Sequence, residues 1–361
     1  MKPNTKIILF TLLISASLTL LASYGTATST NEFAGKTLTV ANWKGYGSDA
    51  SYGAAEFEKL YNCKVVHQYF TSLEEMLTML RTGGMGKIDV LLPNSQYVKP
   101  AKDQGLIQPI DVSKVPSYQN VMQTLKDFPD AKGAKGEIYA VPWTWGTTSL
   151  GYNPSIIKDK ITSWSALWDP KYAGKVGFFD DYNTAILTAA MYLKETDPGN
   201  PDLAKVKVAL LKLKVNTKTF WSSYDGFIKP YTTNEIVIGN MWTGIASKLK
   251  NAGQPVNYIY PDEGTVGWTD FWAIAKDAPN YDLACKWIDF MAGKQFQTAF
   301  ATDKDNAHCP VNTKVIEKLT DDQKKVLWIY PQAPTKLTLQ QSQDDATAQK
   351  WLDLWNEVKS K

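Results

Sequence analysis

Asp270 stands between two tryptophans in Trp268-Thr269-Asp270-Phe271-Trp272. On an extended strand alternate residues share a face, so the acid and both indoles would point the same way. A carboxylate flanked by indoles suits an organic cation: the acid neutralises its charge and the ring quadrupoles attract it. The same residues also suit an ordinary core with an acid opening a turn, and this segment alone leaves both readings open. Little else in the chain suggests chemistry. The run Thr82-Gly83-Gly84-Met85-Gly86-Lys87 has the glycines and lysine of a phosphate loop, but Ile88 stands where a hydroxyl residue is required. Its glycines also follow a helical pattern instead of opening one, so it reads as a helix stop and turn. The two histidines, His67 and His308, have no nucleophile elbow or positioned base beside them. No His, Cys and carboxylate set has metal-ligand spacing, and no metal or cofactor is expected. A secreted hydrolase is the weaker alternative to a binding protein.

The elements that would position Asp270 read as α/β. Residues 36–42 and 64–69 alternate and are rich in β-branched side chains, and 88–92 is a short apolar strand. Between them 51–62 has helical spacing, and Ser72 with Glu75 forms a capping box before a second helix. Alternating strands and helices predict a sheet with covered faces. An apolar run at 176–179 ends in Asp180-Asp181, a helix is expected over 283–300, and 344–361 reads as a terminal amphipathic helix. Trp272 is expected in the core. The length suggests two domains.

Lys2 and Lys6 precede an apolar run over 7–22, and Gly25-Thr26-Ala27 fits a small-x-small cleavage site. This is the layout of a secretory signal peptide over residues 1–27. Leu20-Leu21-Ala22-Ser23 has Ser23 where a lipid-bearing cysteine would stand, so an unanchored periplasmic protein is expected. Losing the two leader lysines takes the formal charge from +3 to about +1, which argues against nucleic acid. Arg81 is the only arginine, so a bidentate grip on an anion has one candidate. Of three cysteines, Cys285 and Cys309 are the pair to test for a disulfide, with buried free thiols as the alternative to Cys63, Cys285 and Cys309 pairing at all.

Eight marks occur in order: Asn42-Trp43-x-x-Tyr46, Asp89-Val90-Leu91-Leu92-Pro93, Gly105-Leu106-Ile107-Gln108-Pro109-Ile110-Asp111, Val141-Pro142-Trp143-x-Trp145-Gly146, Ser163-Trp164-x-x-Leu167-Trp168, Asp180-Asp181, Met241-Trp242-x-Gly244 and Trp268-x-Asp270. Together they resemble the spermidine/putrescine-binding family of extracellular solute-binding proteins that serve ABC importers. The resemblance implies a two-lobed α/β periplasmic-binding-protein fold with a ligand cleft and two crossing hinge strands. It places 36–145 plus 270–317 in lobe 1 and 148–266 plus 318–361 in lobe 2. It implies no enzyme activity, a monomer, an inner-membrane ABC permease as partner and a small amine as ligand. Trp43 and Tyr46 would pack on the ligand's alkyl chain, Trp242 and Trp268 would face its amines or methylenes, and Asp181 and Asp270 would pair with its ammonium groups.

The departures from the family pattern bear on the ligand. Gly45 stands where an acid is usual and Lys44 where a small hydroxyl residue is usual; Thr184 replaces an acid. Asn94 and Gln96 replace Ser and Tyr, and His308 replaces a late Tyr. Two carboxylates are lost and one ammonium is gained, unless Lys44 points to solvent. An unpaired buried charge is costly, so fewer acids fit fewer positive ends. A zwitterion or quaternary amine is therefore the alternative to a polyamine.

Overall fold

The computed structural model describes residues 31–329 and 336–361. The leader expected over 1–27 lies outside them. The chain opens with β1 (Thr37–Asn42) and β2 (Lys64–Tyr69), paired in parallel with Thr37 opposite Lys64 and Asn42 opposite Tyr69. Parallel neighbours need a crossover, supplied here by the helical segment 51–61, which buries Phe57. β3 (Val90–Leu91) pairs with the other side of β1, and β4 (Ile107–Gln108) follows. Ser72 caps the helix Leu73–Met79 by accepting from the Glu75 amide. The Glu75 carboxylate turns back over the helix start, where it accepts from the Thr71 N–H and hydroxyl.

β5 (Ala140–Tyr152) is a strand of 13 residues, every one buried. β6 (Val176–Phe179), β7 (Thr217–Trp221), β8 (Ile238–Trp242) and β9 (Asn257–Ile259) follow, and then β10 (Thr265–Ala275) returns antiparallel to β5. β11 (Cys309–Pro310) and β12 (Leu337–Leu339) complete the sheet. Among the described residues its order is β2-β1-β3-β10-β5-β8-β6-β7, with β4 and β12 also on β10 and β9 and β11 also on β5. Strands β5 and β10 therefore serve both halves of the molecule. The Ala273–Ala275 end of β10 pairs with β3 and β4, while its Thr265–Gly267 end pairs with β12. Likewise Trp145 of β5 pairs with β11, and Thr148 to Tyr152 pair with β8.

Apolar side chains fill both faces of each half. Val40, Phe57, Trp143, Trp272, Trp287 and Phe300 share one cluster of the first half, and Leu77, Leu91 and Phe271 share another. Successive β10 residues enter opposite clusters, as strand alternation requires, and Trp272 is core as expected. In the second half Trp164, Phe178, Leu210 and Trp355 form one cluster and Trp221, Phe227 and Met241 another. The terminal helix Asp345–Ser360 buries Trp351, Leu354, Trp355 and Val358 on one stripe, and Asp180 fixes it by accepting from Trp355 Nε1 and Lys359 Nζ. Leu319 and Leu327 pack in the first half's core. The helix expected over 283–300 is two, Tyr281–Ala292 and Lys294–Thr302, divided at the extended Gly293.

All three cysteines are free thiols. Cys285 and Cys309 are buried separately, and Cys309 Sγ lies 3.5 Å from the Leu327 carbonyl oxygen. Burial pushes the Cys285 thiol up to about 11 and Cys309 to about 12. The Cys285–Cys309 disulfide does not form: these two are buried free thiols, and Cys63 is a half-buried one.

Candidate ligand-binding site

Asp270 sits where the crossing strands are irregular. It lies opposite Thr144 while Phe271 lies opposite Pro142, so Trp143 is an extra residue on β5. Such a bulge twists the ladder and re-aims nearby side chains. Residues 93–95 close over the same place: Phe271 N–H donates to the Pro93 carbonyl and Ser95 N–H to that of Thr269. Asp270 is left 8 % exposed. Its Oδ2 accepts from the Tyr46 hydroxyl at 2.5 Å, and no cationic side chain pairs with it among the described residues. Burial pushes the acid up to about 7, against the smaller opposite pull of the Tyr46 hydrogen bond. Buried acids held this far above their usual value are enriched at functional sites.

The ring of Tyr46 is held edge-on by Trp143 at 5.2 Å and by His308 at 4.9 Å. His308 stacks in turn on Phe300 at 4.7 Å. Burial, and next the charge of Lys248, hold the imidazole down at about 3, so His308 is a neutral support behind Tyr46. Trp268, two residues before Asp270, lies across from Gly146. A Cβ at Gly146 would come within 2.4 Å of the Trp268 ring, so only glycine lets the indole lie flat on β5. Gly146→Ala should therefore displace Trp268 and lower stability by about 1–3 kcal/mol, measured by urea unfolding. An unchanged midpoint would mean that the indole yields without cost.

Asp181 occupies the second half. It caps the helix Tyr182–Tyr192, its Oδ1 accepting from Thr184 N–H at 2.7 Å and from Gln340 Nε2 at 3.2 Å. Gln340 also donates to Thr184 Oγ1, at 2.9 Å. Burial raises the Asp181 carboxyl above the usual range, partly offset by these bonds. Tyr97 from the first half, whose hydroxyl donates to Glu74, and Tyr182 from the second both feel the Asp181 charge. Asp181 and Asp270 thus stand in different halves, Asp270 buried and Asp181 half-buried, with no cationic side chain paired to either among the described residues.

The structure places the remaining expected residues as follows. Trp43 is half-buried, edge-on to Phe70 at 4.7 Å, with its backbone N–H on Asn42 Oδ1. Trp242 lies among Phe179, Trp221 and Tyr224, with ring centroids 4.9 to 5.4 Å away. Asn94 bridges to Asp270 through the backbone, but its Oδ1 accepts from the Gln96 N–H, so the side chain serves a local turn. Lys44 is exposed and makes no ion pair among the described residues. Tyr224 and Gln340 escaped the sequence reading. Ser223 before Tyr224 reads only as a helix cap, and Gln340 is betrayed only by the alternation at 337–340. An open cavity of about 590 Å³ at the seam is lined by Lys248, Asn251, Asp303 and Lys304, and includes none of these acids or tryptophans.

Two α/β halves on crossing strands, with an unpaired carboxylate and an aromatic wall at the crossing, define a two-lobed solute-binding fold. A spermidine/putrescine ABC transporter substrate-binding protein from Streptococcus pneumoniae shares it, with a TM-score of 0.78 over 90 % of this chain and 99 % of that one at 24 % identity. A sequence model of the bacterial extracellular solute-binding proteins matches residues 54–335, and the chain belongs to that family. It is 32 % identical over 241 residues to the spermidine/putrescine-binding periplasmic protein of Escherichia coli, covering 65 % of this chain and 67 % of that one. It is 26 % identical over 368 residues to a putrescine/cadaverine-binding protein of Pseudomonas aeruginosa, covering 94 % and 97 %. The family binds solutes and does not turn them over, which displaces the hydrolase alternative. No helix among the described residues is long and apolar enough to cross a membrane.

Proposed function

We propose that the protein captures a small amine of the polyamine class in the cleft between its lobes and hands it to an ABC permease in the inner membrane. The observation that carries this reading is Asp270, a buried carboxylate with a phenol partner and no cation. Asp181 supplies a second anion from the other lobe; Trp43, Trp242 and Trp268 supply the apolar walls that methylenes need, and Tyr46 adds its hydroxyl. The names of the relatives above support the same ligand class. Closure is a hinge motion about β5 and β10, driven by a ligand that touches both lobes. A second reading, a zwitterion such as an amino acid derivative, is favoured by the buried Trp268 Nε1–H, which finds no acceptor.

A thermal-shift panel with putrescine, spermidine, γ-aminobutyrate and glycine betaine tests both. A ligand at a hundred times its dissociation constant should stabilise the protein by about 2.7 kcal/mol. Putrescine or spermidine should give the largest shift. A shift with γ-aminobutyrate alone selects the zwitterion. A response to sugars or anions with none to any amine would overturn the reading.

A further inference from the structure

Tyr224 comes from the second lobe, at the first position of the helix Tyr224–Thr232, and is absent from the expected site. Its ring is fixed on two sides, by Trp242 at 5.4 Å and by Lys248 Nζ at 4.6 Å over its face. Its hydroxyl rests against Gly244, where a Cβ would come within 2.4 Å of the oxygen. The glycine in Met241-Trp242-x-Gly244 thus makes room for the Tyr224 oxygen. That hydroxyl makes no hydrogen bond among the described residues. Burial first, and the Asp270 charge second, push the phenol far above its usual value, and Tyr224 acts on Tyr46 in the same way. Two phenols from opposite lobes therefore stay protonated within electrostatic reach of one carboxylate.

We infer that Tyr224 is a ligand-contacting and specificity-determining residue, whose hydroxyl meets, on lobe closure, the ammonium held by Asp270 and so selects amines that carry N–H groups over quaternary ones. This rests on the amine reading above. The chemistry follows from what the groups offer the ligand. A quaternary ammonium has no N–H and is recognised by aromatic faces. Around Asp270, Tyr46 offers its hydroxyl and spends its ring on Trp143 and His308. Tyr224 likewise spends its ring on Trp242 and Lys248. Beside the indole of Trp268, what the two phenols and the Asp270 carboxylate offer the ligand is oxygen. A primary ammonium has three donors for such a shell. Methyl groups in their place would bury these oxygens without partners.

The test measures affinities by calorimetry for putrescine and γ-aminobutyrate and for their permethylated, quaternary counterparts. The wild-type protein should bind at least one primary amine and reject its quaternary counterpart by at least about 10-fold. Tyr224→Phe keeps the ring and removes the oxygen, and should weaken the primary amine by about 5- to 30-fold. Its ligand-free melting temperature should stay within about 2 °C of wild type. Gly244→Ala should weaken the wild type similarly by pushing the hydroxyl aside, and should have little further effect in Tyr224→Phe. That arm uses the intact tyrosine and decides the matter if Tyr224→Phe folds poorly. Primary-amine affinity within twofold of wild type in Tyr224→Phe overturns the inference, as do additive effects of the two substitutions or equal binding of a quaternary amine. These leave the amine reading standing. A wild-type protein that binds no amine removes that reading and the inference with it.

Discussion

Asp270→Asn should lower affinity for the amine by about 2–5 kcal/mol, roughly 30- to 5,000-fold, while making the ligand-free protein more stable above neutral pH. Asn has the same shape and can still accept from the Tyr46 hydroxyl, so the loss reports the charge. In the complex the carboxylate faces an ammonium in a site from which water is excluded, where the attraction is screened little. In the free protein Asp270 is 8 % exposed, with no cationic side chain paired to it among the described residues. Its rise from 3.8 to about 7 corresponds to a penalty on the order of 4 kcal/mol when it is ionised. The sign follows from linkage. A folded value above the unfolded one favours the folded state below pH 4, and that contribution is lost as pH rises through 7. Asp270→Asn lacks this loss, so its stability advantage should grow between pH 4 and pH 7 and then level off. Calorimetric titration and urea unfolding at pH 8 measure the two effects. An architectural acid would give the reverse: weakened folding, with affinity unchanged in the folded fraction.

Much of this arrangement is legible in the residues, because local signals and tertiary packing agree there. The alternation at 36–42 and 64–69 marks β1 and β2, and Trp268-x-Asp270 marks one face of β10. The strand period is insensitive to the bulge at Trp143, because the extra residue falls on β5 and leaves the alternation of β10 intact. The two-helix break at Gly293 is illegible, since the apolar spacing continues across it from Phe290 to Phe296. The site is less legible than the fold. Asp270 and Tyr46 are 224 residues apart, and only folding shows that one phenol occupies one oxygen of that acid. Tyr224 and Gln340 carry no local pattern beyond a helix cap and a short strand. Lys44 has the charge to alter the ligand class, but its effect depends on direction, which spacing does not encode. His308 reads as a titratable group, and packing against Phe300 turns it into a neutral ring.

Affinity for the amine should fall by about 100-fold between pH 8 and pH 5, with one proton released per ligand bound near pH 6. The ligand's ammonium groups stay charged across this range, as a lysine would. The change must therefore come from the protein. Asp270 in the free protein takes up its proton near pH 7, because burial disfavours the ionised form. An ammonium in contact favours the ionised form, so binding expels that proton. Below pH 7 each unit of acidity should then reduce affinity about tenfold, until the carboxylate protonates in the complex as well. Asp181 acts in the same direction, since burial also raises it. The other groups facing the site stay silent: Tyr46 and Tyr224 are held well above their usual values, and His308 is held at about 3. Calorimetry in two buffers of different ionisation enthalpy counts the released proton directly. In Asp270→Asn the pH dependence should shrink to the part that Asp181 contributes. A wild-type affinity that stays flat from pH 8 to pH 5 would show that the ligand's charge lies away from Asp270.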